Sequence, residues 1–248
     1  MPLMSVYQQI FENKQRGTTQ VAVLVDPEQQ QSGNFETVAQ KATESGADFI
    51  FVGGSLLMAD VLDTCIRIIK QNTSLPVVLF PGSPLQIHRG ADAILLLSLI
   101  SGRNPELLIG QHVIAAPYLK QSGLEIIATG YMLVGNDNYT TAQYISHSFP
   151  IPASKPDVAA CTAMAGEMLG MKLIYLDAGS GAPHPVSPEM IARVKAAVSV
   201  PVVVGGGLNR PEKARAAAQA GADLLVVGNA LEKDPALIPE IVQAAKKS

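Results

Sequence analysis

Three aliphatic runs in the last third of the chain stop abruptly in glycine. They are Tyr175-Leu176-Asp177-Ala178-Gly179-Ser180-Gly181, Val202-Val203-Val204-Gly205-Gly206-Gly207 and Val226-Val227-Gly228-Asn229. Short runs of β-branched and aliphatic residues without polar alternation suit strands buried on both faces, as in parallel sheets covered by helices. A loop of small residues after such a strand exposes backbone N–H groups, and these can cradle a phosphate. Three in succession point to a phosphorylated ligand held at one end of a parallel barrel.

The same reading extends along the whole chain. Buried-strand runs fall near Val21–Val25, Phe49–Val52, Val77–Phe80, Ala93–Leu97, Glu125–Thr129, Leu173–Leu176, Val202–Val204 and Leu224–Val227. Between them, Phe35–Ser45, Leu57–Gln71, Pro105–Gln121, Pro156–Leu169, Pro188–Val198 and Pro211–Ala220 have helical composition. Several open on proline, which costs a helix no hydrogen bond in its first turn. Ala236–Lys246 reads as a closing helix and Ser5–Asn13 as an added N-terminal one. The expected fold is a TIM (β/α)8-type barrel forming one domain, residues 1–248, close to the ~250 residues such a barrel needs.

One interval breaks the rule. About a dozen residues separate Phe80 from Ala93, with prolines at 81 and 84 and glycines at 82 and 90. A full helical crossover needs more room. The third helix is therefore expected to be missing, which opens an apolar slot in the wall that suits a long, greasy ligand. The alternative is a short loop covered by a partner subunit. Ala-Asp recurs just before a strand at 47–48, 91–92 and 222–223, twice after glycine, and reads as turn chemistry at the bottom of the barrel.

Composition excludes several classes. A net charge of −3 without a basic stripe argues against nucleic-acid binding. No segment approaches the ~20 apolar residues of a membrane span, and the charged N-terminus lacks a signal-peptide core. Cys65 and Cys161 lack metal-ligand spacing and read as buried thiols of a reducing cytoplasm. With 48% hydrophobic residues and no Trp, the core is expected to consist of Val, Ile, Leu and Ala.

In a parallel barrel the residues just past each strand are the candidates for chemistry. Asp26 follows the first strand and can ligate a hard cation such as Mg²⁺, or serve a turn. Gly53-Gly54-Ser55 follows the second, and Ser55 offers a further oxygen to a metal or a phosphate. Asp177 can take a proton from an attacking hydroxyl, or cap the glycine loop. His184 ranks below it between two prolines, and His88, His112 and His147 read as packing or surface. No Gly-Lys-Ser/Thr phosphate loop occurs, which argues against nucleotide triphosphate hydrolysis.

Taken together, Asp26-Pro27, Phe51-Val52-Gly53-Gly54-Ser55, Tyr175 to Ala182, Val204-Gly205-Gly206-Gly207 and Val227-Gly228-Asn229-Ala230 resemble the geranylgeranylglyceryl phosphate synthase family and its heptaprenyl relatives. The resemblance spans nearly the whole chain, and that family's barrel also lacks its third helix. It implies a prenyltransferase joining sn-glycerol 1-phosphate to a polyprenyl diphosphate, with C20 preferred, and releasing diphosphate. It further implies Mg²⁺ on Asp26 and Ser55, and glycerol 1-phosphate on Tyr175, Leu176, Asp177, Ala178, Gly179, Ser180, Gly181, Gly205, Gly206, Gly228 and Asn229. Asp177 would be the base. Many members carry Glu at that position, and some carry Lys where this chain has Leu24, so Arg89, Arg103 and Lys120 enter as candidate diphosphate partners. Leu107, Leu108 and Tyr118 are candidates for limiting chain length. Homo-oligomers and peripheral membrane contact are also implied; the apolar face of Leu107–Leu119 reads either as their interface or as an ordinary core-facing helix. Two rivals remain from the residues alone: a barrel isomerase pairing Asp26 with Asp177, and a non-catalytic binder of phosphometabolites or prenyl lipids. Flavin binding has no further signature.

Overall fold

The structure is a computed structural model, and it describes residues 4–28, 34–54, 61–83, 86–135, 140–228 and 235–246. Eight parallel strands close on themselves: β1 (Gln20–Val25), β2 (Phe49–Val52), β3 (Val77–Leu79), β4 (Ala93–Leu99), β5 (Glu125–Gly135), β7 (Leu173–Asp177), β8 (Val202–Gly205) and β9 (Leu224–Val227). β1 pairs with both β2 and β9, and β4 pairs with β5, so no edge is left. A two-residue strand, β6 (Ile151–Pro152), extends the far end of β5.

Strand alternation sorts the aliphatic residues into two layers. Ala22, Phe49, Phe51, Leu95, Tyr175 and Val203 pack inside the barrel. Val21, Val23, Ile50, Leu176 and Val204 pack outward against the helices. That outer shell comprises α2 (Asn34–Ser45), α3 (Leu62–Asn72), α4 (Gln111–Ser122), α6 (Pro156–Met168), α7 (Pro188–Ala197), α8 (Pro211–Gln219) and α9 (Ile238–Lys246). Helix α1 (Val6–Gln15) closes the bottom, where Val6 and Ile10 join the interior layer. The Glu125 carboxylate receives the Val6 and Tyr7 backbone N–H groups at 2.6 and 3.1 Å and so caps this helix.

The Ala-Asp repeats share one device at the barrel bottom. Asp48, Asp92 and Asp223 accept the N–H groups of Val21, Val77 and Val202 at 2.8, 2.7 and 2.8 Å. Each carboxylate also pairs with a lysine of the helical shell, respectively Lys246, Lys70 and Lys195. A strand-opening N–H and a cation are thereby satisfied by one side chain.

No helix lies between β3 and β4 among the described residues. Buried Gln86 anchors that stretch, accepting from Gly82 N at 3.0 Å and donating to Gly54 O at 3.4 Å. Three features differ from expectation. β5 runs on to Gly135; a short helix, α5 (Thr141–Ser146), follows it; and the helix expected from Pro105 opens as a π-helical turn, Glu106–Gly110, before α4. Cys161 is exposed rather than buried, because α6 turns Ala159, Ala160 and Ala163 inward. The start of the helix expected over 57–71 lies partly outside the described residues.

Candidate active site

A cavity of about 720 Å³ occupies the C-terminal mouth of the barrel. At one end it is bounded by Asp26, Gly54, Ser180, Gly181, Gly206 and Gly228; at the other by Leu95, Leu97, Leu107, Ala115 and Leu119. The polar end is built by loops after β1, β2, β7, β8 and β9, and the apolar end by β4 and the inner face of α4. Its described lining carries two carboxylates, Asp26 and Asp177, and no Lys or Arg.

Asp177 stands where the two ends meet. Its strand register sets it beside Leu133 of β5 and Gly205 of β8. Oδ1 accepts the Gly179 N–H at 2.7 Å, and Oδ2 accepts a short hydrogen bond from the Tyr131 hydroxyl. Burial raises its carboxyl pKa, and those two donors oppose the rise. Burial and the Asp177 charge hold the hydroxyls of Tyr131 and Tyr175 well above their ordinary range, so both stay neutral.

The two loops flanking Asp177 touch. Gly206 has φ +80°, and a Cβ there would lie 2.6 Å from Gly179 N and 2.7 Å from Asp177 Oδ1. Only glycine meets both demands. Near the opposite wall the Asp26 carboxylate lies over Gly54, where a Cβ would be 2.9 Å from Oδ2. Asp26 Oδ1 also accepts Glu28 N at 3.1 Å. Only a residue without a side chain at 54 leaves room for the Asp26 carboxylate in the cavity lining. That suits Mg²⁺, which binds through one or two carboxylates and otherwise keeps water and substrate phosphate oxygens. Among the described residues no cluster of three metal-ligating side chains occurs.

Not every expected site residue reaches the cavity. Tyr175, Asp177, Ser180, Gly181, Gly206, Gly228 and Asp26 line it. Leu176 faces the helical shell. Ala178, Gly179 and Gly205 support the lining from behind it, Gly205 directly beneath the Tyr175 ring. Ser55 and Asn229 lie outside the described residues. Arg89, Arg103 and Lys120 are exposed and do not line the cavity. Of the chain-length candidates Leu107 lines it, Leu108 packs on the outer layer, and Tyr118 is 66% exposed. His184 is exposed, in keeping with a loop-shaping place.

The sequence reading missed Tyr131, Phe80 and His112, all of which line the cavity. His112 Nε2 lies 3.1 Å from Ser98 Oγ, and burial lowers its pKa, which favours the neutral ring. Its spacing five residues before Pro117, on a helix with exposed Val113 and Ile114 beside it, gave no hint of direction. Tyr131 carried a signal: an aromatic in an aliphatic run, two residues past the expected strand end.

Comparison with known proteins adds three findings. The PcrB family model matches residues 11–245. A geranylgeranylglyceryl phosphate synthase of Chitinophaga pinensis is 52% identical over 239 residues, 96% of this chain and 95% of that one; one of Spirosoma linguale is 55% identical over 234, 94% of each. The crystal structure of (S)-3-O-geranylgeranylglyceryl phosphate synthase from Thermoplasma acidophilum, in complex with sn-glycerol-1-phosphate, superposes with a TM-score of 0.93. It is 34% identical and covers 99% of this chain and 100% of that one.

Proposed function

The chain belongs to the PcrB family, and from that premise we propose that it is a geranylgeranylglyceryl phosphate synthase, a prenyltransferase joining sn-glycerol 1-phosphate to geranylgeranyl diphosphate. The observation that carries this reading is the single cavity whose glycine-lined and leucine-lined ends meet at Asp177. A phosphorylated polyol fits one end, a polyprenyl chain fits the other, and a carboxylate stands between them.

In this account the glycerol phosphate lies against Ser180, Gly181, Gly206 and Gly228, where loop amides and a hydroxyl meet the phosphate, and Asn229, next in the sequence after Gly228, is a further candidate ligand. Tyr175 and Asp177 face the glycerol, while Leu176, Ala178, Gly179 and Gly205 fix the shape of that pocket. Asp177 accepts the proton of the attacking hydroxyl. Tyr131 and Gly179 hold the carboxylate at a fixed angle. The prenyl chain runs along Leu95, Leu97, Leu107 and Leu119, where apolar burial is favourable by about 0.8 kcal/mol per methylene. Asp26 and Ser55 are the residues that would hold Mg²⁺, which when bound neutralises the charge of the diphosphate leaving group. With no Lys or Arg among the described lining residues, such a cation is the natural partner for that group.

The same proposal places the enzyme in the cytoplasm, with peripheral membrane contact to collect substrate. No helix among the described residues is long and apolar enough to cross a membrane. Self-association through the outer face of α4 and the turn before it, where Ile109, Val113 and Tyr118 are exposed, belongs to it as well.

The test is incubation with Mg²⁺, glycerol 1-phosphate and geranylgeranyl diphosphate, scoring the prenyl ether. Metal-dependent product that is absent with glycerol 3-phosphate is the expected result. Folded protein that makes no ether with any prenyl diphosphate from C15 to C35 would overturn the proposal.

A further inference from the structure

We propose that Phe80 and Tyr131 form an aromatic wall that stabilises the positive charge developing on the allylic carbon, which makes Phe80 a catalytic group. The inference rests on the prenyl-transfer reading above. In that reaction the C1–O bond to diphosphate breaks and its electron pair leaves with the diphosphate. The hydroxyl oxygen of glycerol 1-phosphate supplies the pair for the new C–O bond, and its proton passes to Asp177. Charge therefore builds up over the allyl group before the ether bond is complete.

A carboxylate placed against that group would add to it or remove a proton. An aromatic face lowers its energy without reacting, by attraction to the ring quadrupole within roughly 6 Å of the centroid. Three rings gather at this point of the barrel. Phe80 stacks on Tyr175 with centroids 5.2 Å apart and planes 19° apart, and Tyr131 stands edge-on to both at 5.9 and 5.4 Å. All three rings border the cavity, but Tyr175 is almost fully buried, 1% exposed, whereas Phe80 and Tyr131 are half-buried and present more of their surface to it.

Position links these rings to the chemistry. The Tyr131 hydroxyl donates to Asp177, so its ring begins where the attacking hydroxyl is held. A reacting carbon lies about 3–3.5 Å from the attacking oxygen. On the leucine-lined side of Asp177 the lining rings within reach of that carbon are Tyr131, bonded to the carboxylate, and Phe80, in contact with Tyr131. A phenol donating to a carboxylate also gains ring electron density. Stacking on Tyr175 fixes the plane of Phe80, so its orientation is prepared before substrate arrives.

Graded fluorination of Phe80 tests this without altering its shape appreciably. The series 4-fluoro-, 3,5-difluoro- and 3,4,5-trifluorophenylalanine progressively drains the ring face, and Phe80→Leu removes it. Single-turnover ether formation is measured at saturating glycerol 1-phosphate and geranylgeranyl diphosphate, together with the melting temperature. The rate should fall stepwise with each fluorine, reaching about tenfold, while KM for the diphosphate stays within about twofold. Phe80→Leu should lose about tenfold to thirtyfold. A trifluoro variant that turns over at the wild-type rate overturns the proposal. So does a loss that follows only KM or melting temperature, which would mark Phe80 as packing. Failure of the unmodified enzyme to form ether would instead overturn the underlying reaction.

Discussion

Burial raises the pKa of Asp177, while Tyr131 and Gly179 donate to its two oxygens and pull it back. Because its folded value is raised, the group destabilises the fold when ionised at neutral pH, and that cost disappears as pH falls through the folded pKa towards the unfolded one. Asp177→Asn should therefore lower kcat/KM by about 10²–10⁴ with an unchanged or higher melting temperature at pH 7. Tyr131→Phe removes a donor that favours the carboxylate, so the acidic limb of the kcat/KM profile should move to higher pH. A limb that stays in place would show that Tyr131 does not tune this base. Asp177 was legible in the sequence because it is the one carboxylate in a segment of aliphatic and glycine residues. Its partner was not, because the expected strand stops at Thr129, short of Gly130. In the fold that glycine gives room for close packing: a Cβ would lie 2.9 and 3.0 Å from the Cδ1 atoms of Ile100 and Ile174. Tyr131, two residues beyond the expected end, therefore fell outside that strand.

Elements were recovered where physics acts locally. A strand covered on both faces is largely apolar, and the eight barrel strands fall at the expected places, with β5 the most mixed in composition. Proline-led helices α6, α7 and α8 begin where Pro156, Pro188 and Pro211 predict. Helix α5 and strand β6 escaped because each is too short to show a period, and α5 depends on a Thr140–Gln143 capping box. The Ala-Asp turns were read as structural, and their geometry ranks them. Asp223 is 8% exposed with Lys195 28% exposed, whereas Asp92 and Lys70 are each 38% exposed. Removing the buried partner strands a strand N–H and a lysine away from water. Asp223→Ala should cost about 2–3 kcal/mol in urea unfolding, and Asp92→Ala less, about 1–2 kcal/mol, because it too frees a strand N–H but breaks a solvated ion pair. Equal losses would contradict the ranking by burial.

At the scale of the molecule, a barrel with no helix after β3 among its described residues carries a cavity that extends from its glycine loops to an apolar wall. Counting residues between Phe80 and Ala93 was enough to expect the opening. What lines it was not readable, because the π-helical turn at Glu106–Gly110 precedes α4 and shifts which of its side chains face inward. Leu107 and His112 thus reach the cavity while Tyr118 faces out. The most direct measurement is a crystal structure with sn-glycerol 1-phosphate and a non-hydrolysable geranylgeranyl thiolodiphosphate. The account predicts the free terminal hydroxyl within about 3.2 Å of the Asp177 carboxylate and the prenyl chain along Leu97, Leu107 and Leu119. A phosphate bound away from the loops after β7 and β8, or a chain lying outside the barrel wall, would contradict it.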